Sequence, residues 1–214
     1  MEIDLLTDYP KITRDINARS DVKDPDLIRR AKNYDWEYFD RKSPRVCYGG
    51  YSYDGRWLPV VTKFADYYGL VPGSSILDVG CAKGYMLYDF LGVDPTFKVV
   101  GFDISRYALN SCPPEVTTFL GNAKDLPFAD KEFDLVICIN TIHNLKEPEC
   151  RQAIREIQRV GNNAFITVDA YSNDEEKERM LRWNITAETI HSTYGWTKLF
   201  NEEGYTGDFY WFVP

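Results

Sequence analysis

From Ser75 onward the chain alternates short apolar runs with stretches of helical periodicity, and that alternation restricts its fold more than any other feature. The runs are 75–80 (SILDVG), 98–103 (KVVGFD), 116–120 (VTTFL), 133–139 (FDLVICI) and 163–169 (NAFITVD). Helices are expected near 84–91, 105–110, 147–160 and 174–182, so strands alternate with helical crossovers, as in the βαβ units of a parallel sheet. In EPECRQAIREIQRV (147–160), Cys150, Ala153, Ile154, Ile157 and Val160 share one helical face and the charges lie opposite. That pattern describes a surface helix packed on the sheet. The last part differs. TYGWTKLFNEEGY reads as a helix stopped by Gly204, and the aromatic run DFYWFV after so short a turn is expected to return antiparallel.

Ahead of the sheet, Asp24 is placed to cap a helix that Pro25 opens over PDLIRRAKNYDWEYFD. The Gly- and Tyr-rich loop VCYGGYSYDGRW follows and leads into a second helix. Residues 1–56 are therefore expected to form a helix and lid belonging to the same domain as a core over 57–214. A chain of 214 residues with 44% hydrophobic content can fill one such core. Its net charge of −8 argues against nucleic acid as a partner, because phosphate binding needs clustered Lys and Arg. No window has the apolar length of a membrane span, and the N-terminus lacks the basic and apolar regions of a leader, so a soluble, cytoplasmic protein is expected. Five scattered cysteines without a C-x-x-C pair, and two histidines, predict neither a disulfide framework nor a metal centre.

In open parallel sheets ligands sit at the carboxyl ends of strands, which directs attention to the first strand-to-helix turn, DVGCAKG (78–84). It fits neither G-x-x-x-x-G-K-[ST] nor G-x-G-x-x-G, so it is not a phosphate cradle. Asp78 would repel a pyrophosphate but suits a ligand carrying an ammonium group. Asp103 ends the next strand, where its two oxygens can accept from both hydroxyls of a ribose. A ribose-binding acid without a pyrophosphate loop points to a nucleoside without phosphates, and S-adenosylmethionine is one. Lys83 is expected to face solvent.

ILDVGCAKG, VVGFDIS and GNAKDLPFADKEFDLVICINTIHNL resemble, in order and spacing, the motifs of class I S-adenosylmethionine-dependent methyltransferases, in their compact single-domain group. The resemblance covers about 57–214, and LFNEEGYTGDFYW is similar to the family's last helix and hairpin strand. It implies an α/β, Rossmann-like, doubly wound sheet of seven strands, mostly parallel with an antiparallel C-terminal strand. It also implies S-adenosyl-L-methionine as cofactor and S-adenosyl-L-homocysteine as product. Gly80, Ala82 and Gly84 would let the backbone approach the methionine and ribose portion, and Asp78 would hold the loop or meet the ammonium. Asp103 would bind the ribose hydroxyls and Ile104 would pack on the adenine. Asn122 and Ala123 would meet the adenine edge, and Asn140 would lie beside the methionine moiety. Ala82 stands where the family has a glycine, so its backbone is expected to avoid positive φ.

Methyl transfer by in-line displacement needs alignment, exclusion of water and sometimes a base. His143, just after the fourth strand, is a candidate base or a residue packing the following helix. Asp169 and Tyr171 end the fifth strand, and His191 precedes the last helix, where it could close over the acceptor. Tyr48, Tyr51, Tyr53 and Arg56 would form the lid over cofactor and substrate. The chain as a whole looks like bacterial members associated with surface-polysaccharide and sugar-nucleotide biosynthesis. That likeness implies O-methylation of a sugar, sugar nucleotide or related phosphorylated small molecule. N-methylation of an amine, a non-catalytic S-adenosylmethionine-binding regulator and a nicotinamide-dependent oxidoreductase are the alternatives.

Overall fold

A computed structural model describes residues 1–10, 16, 24–41 and 51–213. Each predicted apolar run from Ser75 onward is a strand: β1 (Ser75–Val79), β2 (Lys98–Asp103), β3 (Thr117–Leu120), β4 (Phe133–Ile139) and β5 (Gly161–Tyr171). The sheet has seven strands in the order β3-β2-β1-β4-β5, continued by a two-residue β6 (His191–Ser192), with β7 (Asp208–Phe212) also paired to β5.

The helices are α1 (Pro25–Ala31), α2 (Trp36–Phe39), α3 (Leu58–Tyr68), α4 (Tyr85–Val93) and α5 (Arg106–Leu109), then α6 (Glu147–Val160), α7 (Asp174–Trp183) and α8 (Thr193–Glu202). Asp24 caps α1 as expected, its carboxylate accepting from the Asp26 N–H at 2.9 Å. The single N-terminal helix is in fact two short ones. Tyr34 takes a left-handed conformation, φ 49°, and Asp35 caps a new start by accepting from the Glu37 N–H. On α6, all five predicted inward residues are fully buried.

Two apolar layers cover the sheet. One holds the inward face of α6 with Trp196, Leu199 and Phe200 of α8. The other holds Val60, Val61 and Phe64 of α3 with Met86, Leu87 and Phe90 of α4. A smaller third cluster packs Leu27, Ala31, Tyr38 and Phe39 of the N-terminal segment against Ala108 and Ile185, so this segment is seated on the core.

The last strand departs from expectation. β7 pairs with β5 in parallel, from Phe165 beside Asp208 to Asp169 beside Phe212. The cause is what precedes it. β6 pairs with the carboxyl end of β5 and passes directly into α8, which Ser192 caps through the Gly195 N–H. A helix of ten residues carries the chain back by about 15 Å, so β7 begins at the opposite end of the sheet and runs the same way as its neighbour. Met1–Ile3 then pairs along the other side of β7, in parallel register with Phe209.

Candidate active site

The turn after β1 is built by steric necessity. Gly80 has φ 87°, and a Cβ on it would lie 2.0 Å from the Thr141 hydroxyl oxygen, so only glycine fits between this loop and the end of β4. Gly84 ends the loop in the left-handed region, φ 69°, and serves as N-cap of α4. Ala82 contradicts the expectation for its backbone: its φ is 51°. An L-residue pays about 1–2 kcal/mol for that conformation. What holds it is Asp103, whose Oδ2 accepts from the Ala82 N–H at 2.8 Å while its Oδ1 accepts from the Ser105 N–H at 2.7 Å. Asp103 thus sets the shape of the loop and still presents free lone pairs.

Asp78 lies alongside, 5% exposed, with no hydrogen-bond partner for its carboxylate among the described residues. Burial, and then the charge of Asp103, push its pKa up to about 7. Burial also raises the Asp103 pKa, against the opposing pull of the Ser105, Ala82 and Ile104 N–H groups. Two buried carboxylates at adjacent strand ends form a site that gains from a cationic ligand. Ile104, 54% exposed, offers the flat apolar surface beside them.

Lys83 is another correction, because it is buried. Its ammonium donates to Asp40 Oδ1 at 2.5 Å, and Tyr107 donates to the other oxygen at 2.6 Å. These bonds outweigh the effect of burial and hold the Asp40 carboxyl below its ordinary range. Lys83 therefore pins the N-terminal segment to the loop.

Across the cleft, at the carboxyl ends of β4 and β5, a second group of polar side chains meets. Asn140 has φ 51°, and its N–H donates to the Thr167 carbonyl at 3.0 Å while its Oδ1 accepts from the Thr167 hydroxyl at 3.0 Å. His143 is buried in a single 3₁₀ turn, Ile142–Asn144. Its Nδ1 accepts from the Asp169 backbone N–H at 3.3 Å, and its Nε2 faces Asp169 Oδ2 at 3.7 Å. Burial lowers the His143 pKa, only partly offset by Asp169, so the imidazole is neutral. With Nδ1 accepting, the proton sits on Nε2 and points at the Asp169 carboxylate. In this tautomer His143 has no free lone pair, which leaves the Asp169 carboxylate as the group of the pair that could accept a proton. Asn184 completes it by donating from Nδ2 to Asp169 Oδ2 while its own Oδ1 accepts from the Thr186 and Ala187 N–H groups. Close by in the chain, the buried Asn144 Oδ1 has no hydrogen-bond partner among the described residues.

A cleft of about 1480 Å³ joins the two groups. Asp78, Gly80, Ala82, Asp103, Ile104, Asn122, Ala123 and Asn140 line it, as do His143, Asp169, Tyr51 and Arg56. Gly84 acts from outside the lining through its cap. His191 stands away from the cleft, with Nε2 at 3.3 Å from Glu147 Oε2 and its ring edge-on to Trp196. Tyr171 is also off the lining and lies under the Lys177 ammonium. Tyr53 is turned outward, donating to Asp89 Oδ1 at 2.8 Å, and Tyr51 packs on Tyr38 and Phe39. Arg56 is held by Asp54. Tyr48 lies outside the described residues. The reading from sequence missed Lys83, Asp40 and Asn184; a helix-ending Asn next to Trp183 carries no signal that it will meet a carboxylate 15 residues earlier.

Residues 76–163 match the family described as methyltransferase domain. The chain is similar to a demethylmenaquinone methyltransferase of Symbiobacterium thermophilum, 34% identical over 127 residues, covering 54% of this chain and 50% of that protein. A tRNA U34 carboxymethyltransferase of Campylobacter jejuni is 27% identical over 128 residues, covering 56% and 43%. The chain thus spans about half the length of the curated relatives it matches. Among solved structures, the YcgJ protein of Bacillus subtilis superposes with a TM-score of 0.56 at 20% identity, over 70% of this chain and 68% of that one. The chain therefore has the Rossmann-like fold that its motifs imply.

Proposed function

We propose that this protein transfers a methyl group from S-adenosylmethionine to a hydroxyl of a small-molecule acceptor. The observation that carries the donor is the buried pair Asp78 and Asp103 under a loop without a pyrophosphate cradle. The residues fit the cofactor. Asp78 would receive its ammonium, directly or through water, Asp103 its ribose hydroxyls, and Ile104, Asn122 and Ala123 its adenine. The sulfonium supplies an electrophilic methyl carbon. The chain's own task is to align an oxygen with it and exclude water.

At the acceptor end, Asp169 would take the proton from the attacking hydroxyl. Asn184 donates to that carboxylate, and His143 anchors the Asp169 backbone by accepting from its N–H. The unpartnered Asn144 oxygen would accept from a second donor on the same molecule, as neighbouring hydroxyls of a sugar provide. These acceptor-rich walls, with the chain's overall likeness to surface-polysaccharide enzymes, support a sugar, sugar nucleotide or related phosphorylated metabolite in polysaccharide biosynthesis. The net charge of −8 supports the absence of a nucleic-acid partner, and a cytoplasmic setting suits such substrates. No helix among the described residues is long and apolar enough to cross a membrane. The relatives carry the names of a quinone and a tRNA enzyme, so they supply no common acceptor.

A screen with methyl-labelled donor against nucleotide sugars, phosphorylated small molecules and amines tests this reading. Label on a sugar hydroxyl supports it. Label on amines alone would replace O- by N-methylation, and donor binding without transfer to any acceptor would favour a regulator.

A further inference from the structure

Two of the four described cysteines meet at the donor loop, although they lie 31 residues apart in the chain. Cys81 is buried inside the loop itself, between Gly80 and Ala82. Cys112 follows α5 and is only half-buried. The two thiols both donate to one and the same atom, the Ala82 carbonyl oxygen, at 3.7 and 3.6 Å. The Cys112 sulfur also presses on the far end of the loop, 3.1 Å from where a Cβ of Gly84 would be. Cys138 and Cys150 lie apart, buried in the core layer.

We infer that Cys81 and Cys112 form a reversible disulfide that closes the donor loop to S-adenosylmethionine when the protein meets a peroxide. The chemistry is a two-electron oxidation in two steps. The Cys112 thiolate attacks one peroxide oxygen, the O–O bond breaks, hydroxide leaves, and Cys112 becomes a sulfenic acid. The Cys81 thiol then attacks that sulfur, the S–O bond breaks, and water leaves with the Cys81 proton. The hydroxide takes up the proton that Cys112 had given up, so two thiols and one hydrogen peroxide yield one disulfide and two waters. The division of roles follows from position. Cys112 is the more exposed of the two, and the neighbouring Cys81 thiol lowers its pKa. Cys81, buried beside Asp78 and Asp103, keeps its proton until the second step.

The consequence for the donor follows from the loop's construction. A disulfide holds its sulfurs at about 2.0 Å, closer than two free thiols stand, so oxidation must draw Cys81 and Cys112 together. Cys81 is bonded to Ala82, whose N–H is tied to Asp103 and whose left-handed backbone has no slack. The movement is therefore taken up in the part of the loop where the donor would lie. Coupling between two such sites is reciprocal, so bound donor disfavours the disulfide by the same factor as the disulfide weakens the donor.

This inference rests on the proposed donor, and the test separates the two. Purified protein is treated with hydrogen peroxide and its peptides are mapped without reduction, then again after dithiothreitol. The expected result is a loss of two hydrogens and a Cys81–Cys112 cross-link that dithiothreitol removes. Calorimetry should then give an affinity for S-adenosylmethionine lower by roughly ten- to a hundredfold in the oxidised form and restored on reduction. By linkage, saturating donor should raise the pair's reduction potential by about 30 mV for each tenfold difference in affinity. Cys112→Ser should keep donor binding and lose its sensitivity to peroxide, with Cys112→Ala as the second variant. A map with no 81–112 cross-link, or an oxidised form that binds the donor as tightly as the reduced one, overturns the inference. A reduced protein that forms the cross-link but never binds the donor overturns the proposed function instead.

Discussion

The two ends of the cleft are made in different ways. The donor end is one continuous turn with two acids at adjacent strand ends, and its shape is imposed by backbone: Gly80 against Thr141, Ala82 held by Asp103, Gly84 starting α4. The acceptor end is assembled from side chains at 143, 144, 169 and 184, brought together from three separate segments of the chain. A backbone-built site serves a ligand that never changes, whereas a site of separate side chains can be altered one position at a time. The contrast makes a specific demand. Substitutions at one end should change donor affinity, and substitutions at the other should change turnover.

The largest effect expected is at the acceptor end. Asp169→Asn removes the proton acceptor but keeps its shape, and should lower turnover by about 10²- to 10⁴-fold with donor affinity unchanged in calorimetry. A parallel loss of donor affinity would break the division between the ends. Next is Gly80→Ala, which places a Cβ inside the Thr141 side chain and forces a residue to φ 87°. The backbone strain of about 1–2 kcal/mol and overpacking of about 1–3 kcal/mol should appear as a lower denaturation midpoint. Any folded fraction should bind the donor weakly. Asp103→Ala should weaken the donor by about 1.5–3 kcal/mol, since it loses charge-assisted bonds to the ribose, and it also frees Ala82. Normal affinity in this variant would move the ribose elsewhere.

The smallest effect is one of pH. Asp78, pushed up to about 7, is half protonated near neutrality, and a cationic donor favours its ionised form. Donor affinity should therefore rise with pH by up to about tenfold per unit below 7 and level off above it. Asp78→Asn should flatten that profile. In the ligand-free protein the sign reverses. The folded form holds this proton more tightly than the unfolded chain, so the contribution of Asp78 to stability declines as pH rises from 3.8 through about 7.

What could be read in the sequence follows the same division. Strand ends and the loop between them are contiguous, so Asp78 and Asp103 stand out as candidates from pattern, and the family resemblance extends the candidates to Gly80, Ile104, Asn122, Ala123 and Asn140. The left-handed backbone of Ala82 is not legible locally because it is set by Asp103, a residue 21 positions later. The burial of Lys83 is not legible for a similar reason, since its partner Asp40 lies 43 residues earlier. The direction of β7 depended on a two-residue β6 too short to have a periodicity. At the acceptor end, His143 and Asp169 are both candidates from the sequence, but the tautomer of His143 is set by one hydrogen bond from a backbone N–H to Nδ1. No residue pattern encodes that bond.

Titration calorimetry of the reduced protein with S-adenosylmethionine, repeated with S-adenosylhomocysteine and with NAD, is the decisive measurement for the donor site. One-to-one binding of the first two is expected, tighter above pH 7 than below it for the donor, with no measurable heat for NAD. Binding of NAD with none of S-adenosylmethionine would contradict that expectation.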